Sequence, residues 1–234
     1  MNMLIELAET DPNHASVTML EGAIKKSKYV DIENLVRALK EYLDVYEDTV
    51  RTGPMPRGFV DSNFDYRSLT GRVAVYMPAA VRRMNFNGEK AMIPFPSIVL
   101  IYEFKNGVHS TTHAFSVKED HIEKVRSTTK LYNYPFGNVS PGGGHVCWGS
   151  NEHEKLNAIA DINIFTDKFL NSLTNQDLYQ VGISNSSKKT LPEFLNELKE
   201  QVEKDKDVVF NPDYLVETTF TLDSIMGRKI TKKL

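Results

Sequence analysis

The sequence predicts an α+β fold, and three observations carry that prediction. After Asp31, apolar residues recur at helical spacing: Ile32, Leu35, Val36, Leu39, Leu43 and Tyr46. From Gly71 to Lys118 the period shortens to strand-like apolar runs, punctuated by Asn87-Gly88 and Asn106-Gly107, which are strong hairpin dipeptides. Helical spacing then returns beyond residue 150. Strands grouped together, with helices before and after them, read as α+β rather than as alternating βαβ units.

In chain order, Met3–Ala8 and Ala15–Leu20 flank Asp11-Pro12-Asn13 and read as a hairpin. Asp31 is placed to cap the first helix, with Glu33, Arg37, Lys40, Glu41 and Asp44 on its polar side. That helix can dock a partner or simply pack on a sheet. Thr52–Thr70 holds Gly53, Pro54, Pro56 and Gly58 and reads as a long connecting loop. Four strands follow: Arg72–Met77, Val81–Phe86, Ser97–Phe104 and His109–Val117. The nearly unbroken apolar run from Ser97 to Phe104 suits a central strand.

His109 and His113 would share one face of a regular strand. They can be a metal pair or ordinary packed histidines, and no third ligand stands nearby. Asn151 and Glu154 suit a helix start leading into Leu156, Ile159, Ala160, Phe165, Phe169 and Leu173. Ser184–Lys189 reads as a polar linker. Thr190-Leu191-Pro192-Glu193 is a capping box opening another helix, and Tyr214–Leu222 reads as a last strand before a basic tail.

Composition narrows the function. Net charge is −3, so phosphate affinity from concentrated Lys and Arg is not expected, and neither is nucleic-acid binding. One cysteine excludes an internal disulfide and multi-cysteine zinc frameworks. No apolar run spans a bilayer, and the acidic N-terminus is unlike a signal peptide. The expectation is a cytoplasmic protein that needs no cofactor and engages no membrane.

The chemistry concentrates in Leu131–Ser150, LYNYPFGNVSPGGGHVCWGS, which carries Cys147 and Trp148, the one cysteine and one tryptophan of the sequence. Pro135, Gly137, Pro141 and Gly142-Gly143-Gly144 make it a loop that lets backbone approach a ligand closely. No Lys-Ser or Lys-Thr pair follows the glycines, so it is not a phosphate-binding P-loop. A reachable thiol with a stabilised thiolate is a nucleophile, whereas a buried free cysteine is a small hydrophobe. His145, two residues from Cys147, would point the same way along an extended segment and favour the thiolate, or else be a surface histidine. Asn138 can tolerate an unusual turn conformation.

Asn138-Val139, a glycine turn and Val146-Cys147 resemble the active-site signature of ubiquitin-conjugating enzymes. In those enzymes a His-Pro-Asn tripeptide precedes the cysteine, and here Phe136-Gly137-Asn138 stands in its place, about one residue further away. A closer resemblance is to protein B of the bacterial PRTRC cassette, a family similar to ubiquitin-conjugating enzymes. It is carried by Met55-Pro56-Arg57-Gly58, Met77-Pro78-Ala79, Arg82-Arg83, Pro94-Phe95-Pro96, Pro135–Val139 and Val146–Ser150.

The resemblance implies a ubiquitin-conjugating-like fold with an N-terminal helix, a four-stranded antiparallel meander, a cysteine loop and C-terminal helices. It implies residues 1–30 as a hairpin extension, 31–175 as the core and 176–234 as a helical extension and tail. It also implies Cys147 as a thioester-forming nucleophile and Asn138 as an oxyanion donor; His145 joins them as a catalytic candidate on its spacing alone. The implied partners are a ubiquitin-like modifier, its adenylating activating enzyme and an acceptor protein. An extra strand and Lys118–Lys130 separate the proline-rich segment from the cysteine loop, unlike the family pattern. The alternative expectation is a catalytically inactive binding or scaffold protein of a plasmid-type cassette. A thiol hydrolase would need an ordered partner set that the sequence does not offer beyond His145.

Overall fold

The structure is a computed structural model that describes residues 2–8, 11–21, 24–45, 52–149 and 155–227. The chain divides into two compact units, Met1–Arg51 and Thr52–Leu234. Both mix α and β, and strand predominates over helix.

In the N-terminal unit, β1 (Asn2–Ala8), β2 (Asp11–Glu21) and β3 (Ile24–Asp31) form an antiparallel sheet in that order. The first two are the expected hairpin, in register Met3↔Met19, Ile5↔Val17 and Leu7↔Ala15. The third strand was not expected, because its three lysines interrupt any apolar alternation. Helix α1 (Ile32–Val45) starts where predicted, with the Asp31 carboxylate accepting from the Asn34 N–H at 3.0 Å. This helix groups with the N-terminal strands. The unit boundary falls after residue 51, and residues 176–227 belong to the larger unit.

The larger unit is built on a six-stranded sheet. In sequence order its strands are β4 (Phe59–Asp65), β5 (Thr70–Met77), β8 (Ser97–Lys105), β9 (Val108–Val117), β10 (Lys130–Asn133) and β12 (Glu217–Thr221). Their spatial order is β12-β10-β9-β8-β5-β4. Strand β8 lies inside the sheet and is buried from Ser97 to Tyr102, as its apolar run predicts. Strand β4 corrects the expectation of a long loop. It is a half-buried edge strand, and its Gly- and Pro-rich approach obscured it.

The expected meander is also corrected. Strands β6 (Ala80–Phe86) and β7 (Glu89–Phe95) leave the main sheet as a hairpin, and β5 pairs directly with β8. The hairpin joins β11 (Leu173–Thr174) in a second sheet ordered β11-β6-β7. Pro94 is tolerated because β7 is an edge strand. Asn87 (φ 49°) and Gly88 (φ 92°) make the β6–β7 turn, and Asn106 (φ 53°) and Gly107 (φ 74°) the β8–β9 turn, as their dipeptides predict.

Both faces of the main sheet are covered. Val73, Val75, Leu100, Tyr102 and Phe104 meet the second sheet, α2 (Ile162–Asn171) and α3 (Leu191–Lys204). Ala74, Tyr76, Val99, Ile101 and Phe115 meet Leu222, Ile225 and Met226 of α4 (Leu222–Met226). The capping box of α3 forms as expected: the Glu193 carboxylate accepts from the Thr190 N–H at 2.9 Å and its hydroxyl at 2.7 Å. These bonds hold the Glu193 carboxyl below the usual carboxylate range.

Helix α2 begins well after Asn151 and Glu154, which lie outside the described residues, as does the basic tail. Asp161 accepts from the Asn157 and Ala158 N–H groups at 2.8 and 2.9 Å and secures the helix entry. The supposed linker at Ser184–Lys189 is partly interior, since Ser184 and Asn185 are fully buried. Asn185 donates to the Pro135 carbonyl at 2.9 Å and so anchors the segment leading to the cysteine.

Candidate functional site

The glycine-rich loop folds as a hairpin clamped to the sheet. The Cys147 N–H donates to the Asn138 carbonyl at 2.7 Å, and the Ser140 N–H to the His145 carbonyl at 2.9 Å. Val139 and Val146 form a bridge between the two arms. The second arm docks on β9, where the Ala114 N–H reaches the Gly144 carbonyl at 2.8 Å and the Val146 N–H reaches the Thr112 carbonyl at 2.9 Å. At the loop tip, the Asn133 carboxamide accepts from the Gly142 N–H at 2.7 Å and donates to the Ile183 carbonyl at 3.0 Å.

Glycine is required where this arm meets the sheet. Gly144 has φ +68°, and a Cβ there would lie 2.5 Å from the Phe115 ring. Phe136 is fully buried, with ring centroids 5.0 Å from Phe95 and 5.3 Å from Tyr134. Aromatic packing thus anchors the loop's first arm at the position where the resemblance expects a histidine or its neighbour. Trp148 meets His109 and Phe169 edge-on, with centroids 6.0 and 6.2 Å away, and fixes the far end.

Cys147 is exposed. It borders a cavity of about 460 Å³ whose walls include Asn138, Trp148, Leu173, Asn175 and Asp177. Asn138 joins the cysteine loop to the 173–177 segment. Its amide donates to the Leu173 carbonyl at 2.7 Å and accepts from the Asn175 N–H at 3.2 Å, while its backbone N–H reaches the Asp177 carbonyl at 2.9 Å. Its φ of 63° is one that asparagine tolerates. The turn reading of Asn138 therefore holds, and its side chain positions the cavity wall. One amide N–H is committed to Leu173, and the other is not needed for that task.

Sequence reasoning did not find Asp177. Its carboxylate accepts from the Asn175 amide at 2.8 Å, and its N–H returns to the Asn175 oxygen at 2.8 Å. The signal available was Asn-x-Asp, which reads as an ordinary Asx turn and points to no chemistry.

His145 is exposed on the same arm as Cys147, but its ring pairs with His113, with centroids 4.3 Å apart. Among the described residues no hydrogen bond joins it to the thiol, and it does not border the thiol's cavity. His109 and His113 do not share a face. A bulge shifts the β8–β9 register, so that His109 lies opposite Phe104 and His113 opposite Ile101. His109 bonds the Thr112 hydroxyl at 2.8 Å and stacks on Phe165, whereas His113 turns to the other side. Among the described residues no cluster of three metal-ligating side chains occurs.

His113 is buried beside His145, with Arg72 and Glu103 contributing opposing charge effects. The Arg72–Glu103 ion pair is 2.7 Å long. Burial pushes the His113 pKa below its ordinary 6.5, and the bond between its Nδ1 and the Gly143 carbonyl at 2.9 Å opposes the shift only in part. The unfolded chain therefore binds more protons than the folded one as pH falls through about 6.5. Stability present at pH 7 should be lost on acidification across that window, until the folded imidazole also protonates. The expected result is that wild-type melting temperature falls more steeply below pH 6.5 than that of His113→Gln. Parallel curves would contradict the assignment.

A family model described as prokaryotic E2 family D matches residues 39–218, more than half of the chain. No curated protein and no solved structure matches it. Among the described residues no helix is long and apolar enough to cross a membrane.

Proposed function

The chain belongs to prokaryotic E2 family D, and from that premise we propose that it is a ubiquitin-conjugating-like acyl carrier. The observation that carries the reading is an exposed thiol, Cys147, on a cavity whose lining also includes Asn138 and Asp177. The finer reading places the chain with protein B of the PRTRC cassette. Its partners are then a ubiquitin-like modifier, the adenylating enzyme that activates it, and an acceptor protein.

In the first step the Cys147 thiolate attacks the activated C-terminal carbonyl of the modifier, and the activating enzyme's leaving group departs. In the second an acceptor amine attacks the thioester carbonyl, the thiolate leaves and an amide forms. Both steps pass through a tetrahedral oxyanion. The uncommitted N–H of the Asn138 amide is the candidate donor to it, while the committed one keeps the loop in place. Asp177 orients the incoming amine and accepts the proton its nitrogen loses as the amide forms. His145 acts through the loop rather than by contact with sulfur, because its ring is engaged with His113. The conjugating component needs no metal or organic cofactor for these steps.

A pulse–chase experiment tests the reading. The chain is charged with modifier, activating enzyme and ATP, the ATP is removed, and a primary amine is added. Wild-type protein should charge and then discharge to the amine. Asp177→Asn should charge normally but discharge more slowly, by on the order of a hundredfold, the lower end for a positioned proton acceptor. Failure to charge while the activating enzyme is itself charged would favour a non-catalytic scaffold.

A further inference from the structure

A second cavity, of about 490 Å³, lies along the other side of α2, lined by Tyr76, Met77, Pro78, Arg82, Ile122 and Leu170 together with charged groups. Its volume falls within the range of about 300–1,000 Å³ typical of small-ligand sites. The helix presents Asn163, Thr166, Asp167 and Leu170 to this cavity, and it contributes Asn171 to the Cys147 cavity at its C-terminal end.

Arg82 is the unusual member. It pairs with Ile93 across β6–β7, and its neighbours two residues away in β6, Ala80 and Met84, pair with Phe95 and Ala91. Paired residues share a face, so Arg82 occupies the face that carries buried Ile93, Phe95 and Met84. An apolar residue would satisfy that position. The Arg82 Nη2 donates to the Pro78 carbonyl at 2.9 Å, but its Nε is buried without a hydrogen-bond partner among the described residues. Burial also lowers its pKa from the usual value. A partly desolvated guanidinium left without a carboxylate is costly, and it points to a partner that arrives from outside.

The surrounding charges define that partner. Arg57 is matched by Asp167, with Nη2 at 3.0 Å from both carboxylate oxygens, and Asp120 is matched by Lys124 at 2.6 Å. This leaves Arg82 and Glu123 as the unmatched guanidinium and carboxylate of the lining, with no ion pair between them among the described residues, and His121 near Asp120 at 3.9 Å. One uncompensated guanidinium in a lining that also carries the Glu123 carboxylate suits a monoanion better than a dianionic phosphate. The apolar lining suits a hydrocarbon or aromatic body next to the charge.

We propose that this cavity is a carboxylate-binding site in which Arg82 receives a single carboxylate borne on an apolar body. Two sources share that chemistry: a free organic acid, or an acidic side chain flanked by apolar residues in a peptide. The site is independent of the Cys147 chemistry, so its test does not depend on charging.

The test is a chemical-shift titration of the full chain with phenylacetate and with N-acetyl-Leu-Glu-Leu-amide. Phenylacetamide and the corresponding Gln peptide are the neutral controls. The expected result is saturable shifts at residues 120–123 and 163–170 with one carboxylate, at least about tenfold weaker binding of its neutral control, and loss of binding in Arg82→Met. Selective binding of phenylacetate identifies a free acid as the source, and selective binding of the Glu peptide a protein segment. Arg82→Met should melt no lower than wild type, because it removes a desolvated charge. Should it fail to fold, Glu123→Gln provides the independent reading and should tighten carboxylate binding. The proposal is overturned if neither carboxylate perturbs the cavity, if Arg82→Met binds as wild type does, or if Glu123→Gln leaves affinity unchanged.

Discussion

Cys147→Ala should form no modifier adduct, and Cys147→Ser should form one that resists thiol reductant and accumulates far more slowly. The argument is chemical. Thiols are intrinsically far better nucleophiles than alcohols, and a serine hydroxyl supplies almost no alkoxide without an adjacent base. Among the described residues no hydrogen bond from His145 reaches position 147, and its ring pairs with His113. The rate of charging should therefore fall by several orders of magnitude, on the order of 10³-fold or more. The loss is one of chemistry rather than of folding. Cys147 is exposed, and removing it should change stability by no more than about 0.5 kcal/mol. Charging gels run beside thermal melts check both halves. Any adduct on Cys147→Ala, which keeps no thiol, would place the acyl group on another kind of side chain.

Gly144→Ala should abolish the geometry of the thiol from the opposite direction, through the backbone. The added Cβ would meet three Phe115 ring atoms at 2.5 to 2.8 Å, and φ +68° is unfavourable for alanine. Phe115 cannot yield easily: it is fully buried, 6.3 Å in centroid distance from both His113 and Phe220. Strain and overpacking together should cost about 2–4 kcal/mol. The hairpin arm would lift from β9, and Cys147, three residues on, would leave the cavity edge. Gly142→Ala is the control. It has φ +78° but nothing within 4 Å of the new Cβ, so only backbone strain of about 1–2 kcal/mol applies. Denaturant melts should separate the two variants, and charging should fail in Gly144→Ala alone. Equal stability in both would mean that Phe115 accommodates the methyl group and that the arm is not held as described.

Local chemistry made part of the fold legible. The run from Ser97 to Tyr102, the two Asn-Gly turns, the Asp31 cap and the Thr190–Glu193 box each specify their element with neighbouring residues alone. What the sequence concealed depends on partners distant in the chain. Nothing in Val81–Phe95 says that the hairpin leaves the sheet, because its strand period is the same in either sheet. One bulge residue between His109 and His113 reverses their relative facing, and no pattern in HSTTH marks it. Asn185 looks like linker polarity, yet it is a buried stitch to Pro135; hydrogen bonding, not composition, distinguishes the two. At the candidate site, the rare residues drew attention to Cys147 and its loop, and Asn138 was singled out by its motif match, with the turn conformation as the simpler reading. Asp177 lies 30 positions beyond the cysteine in an ordinary turn, and only folding brings it to the same cavity.

The central claim is that Cys147 carries an acyl group. Intact-mass measurement of the wild-type chain after incubation with modifier, activating enzyme and ATP tests it most directly. The account predicts a gain equal to the modifier less one water, mapped to Cys147 and removed by hydroxylamine. No gain while the activating enzyme is itself charged, or an equal gain on Cys147→Ala, would contradict it.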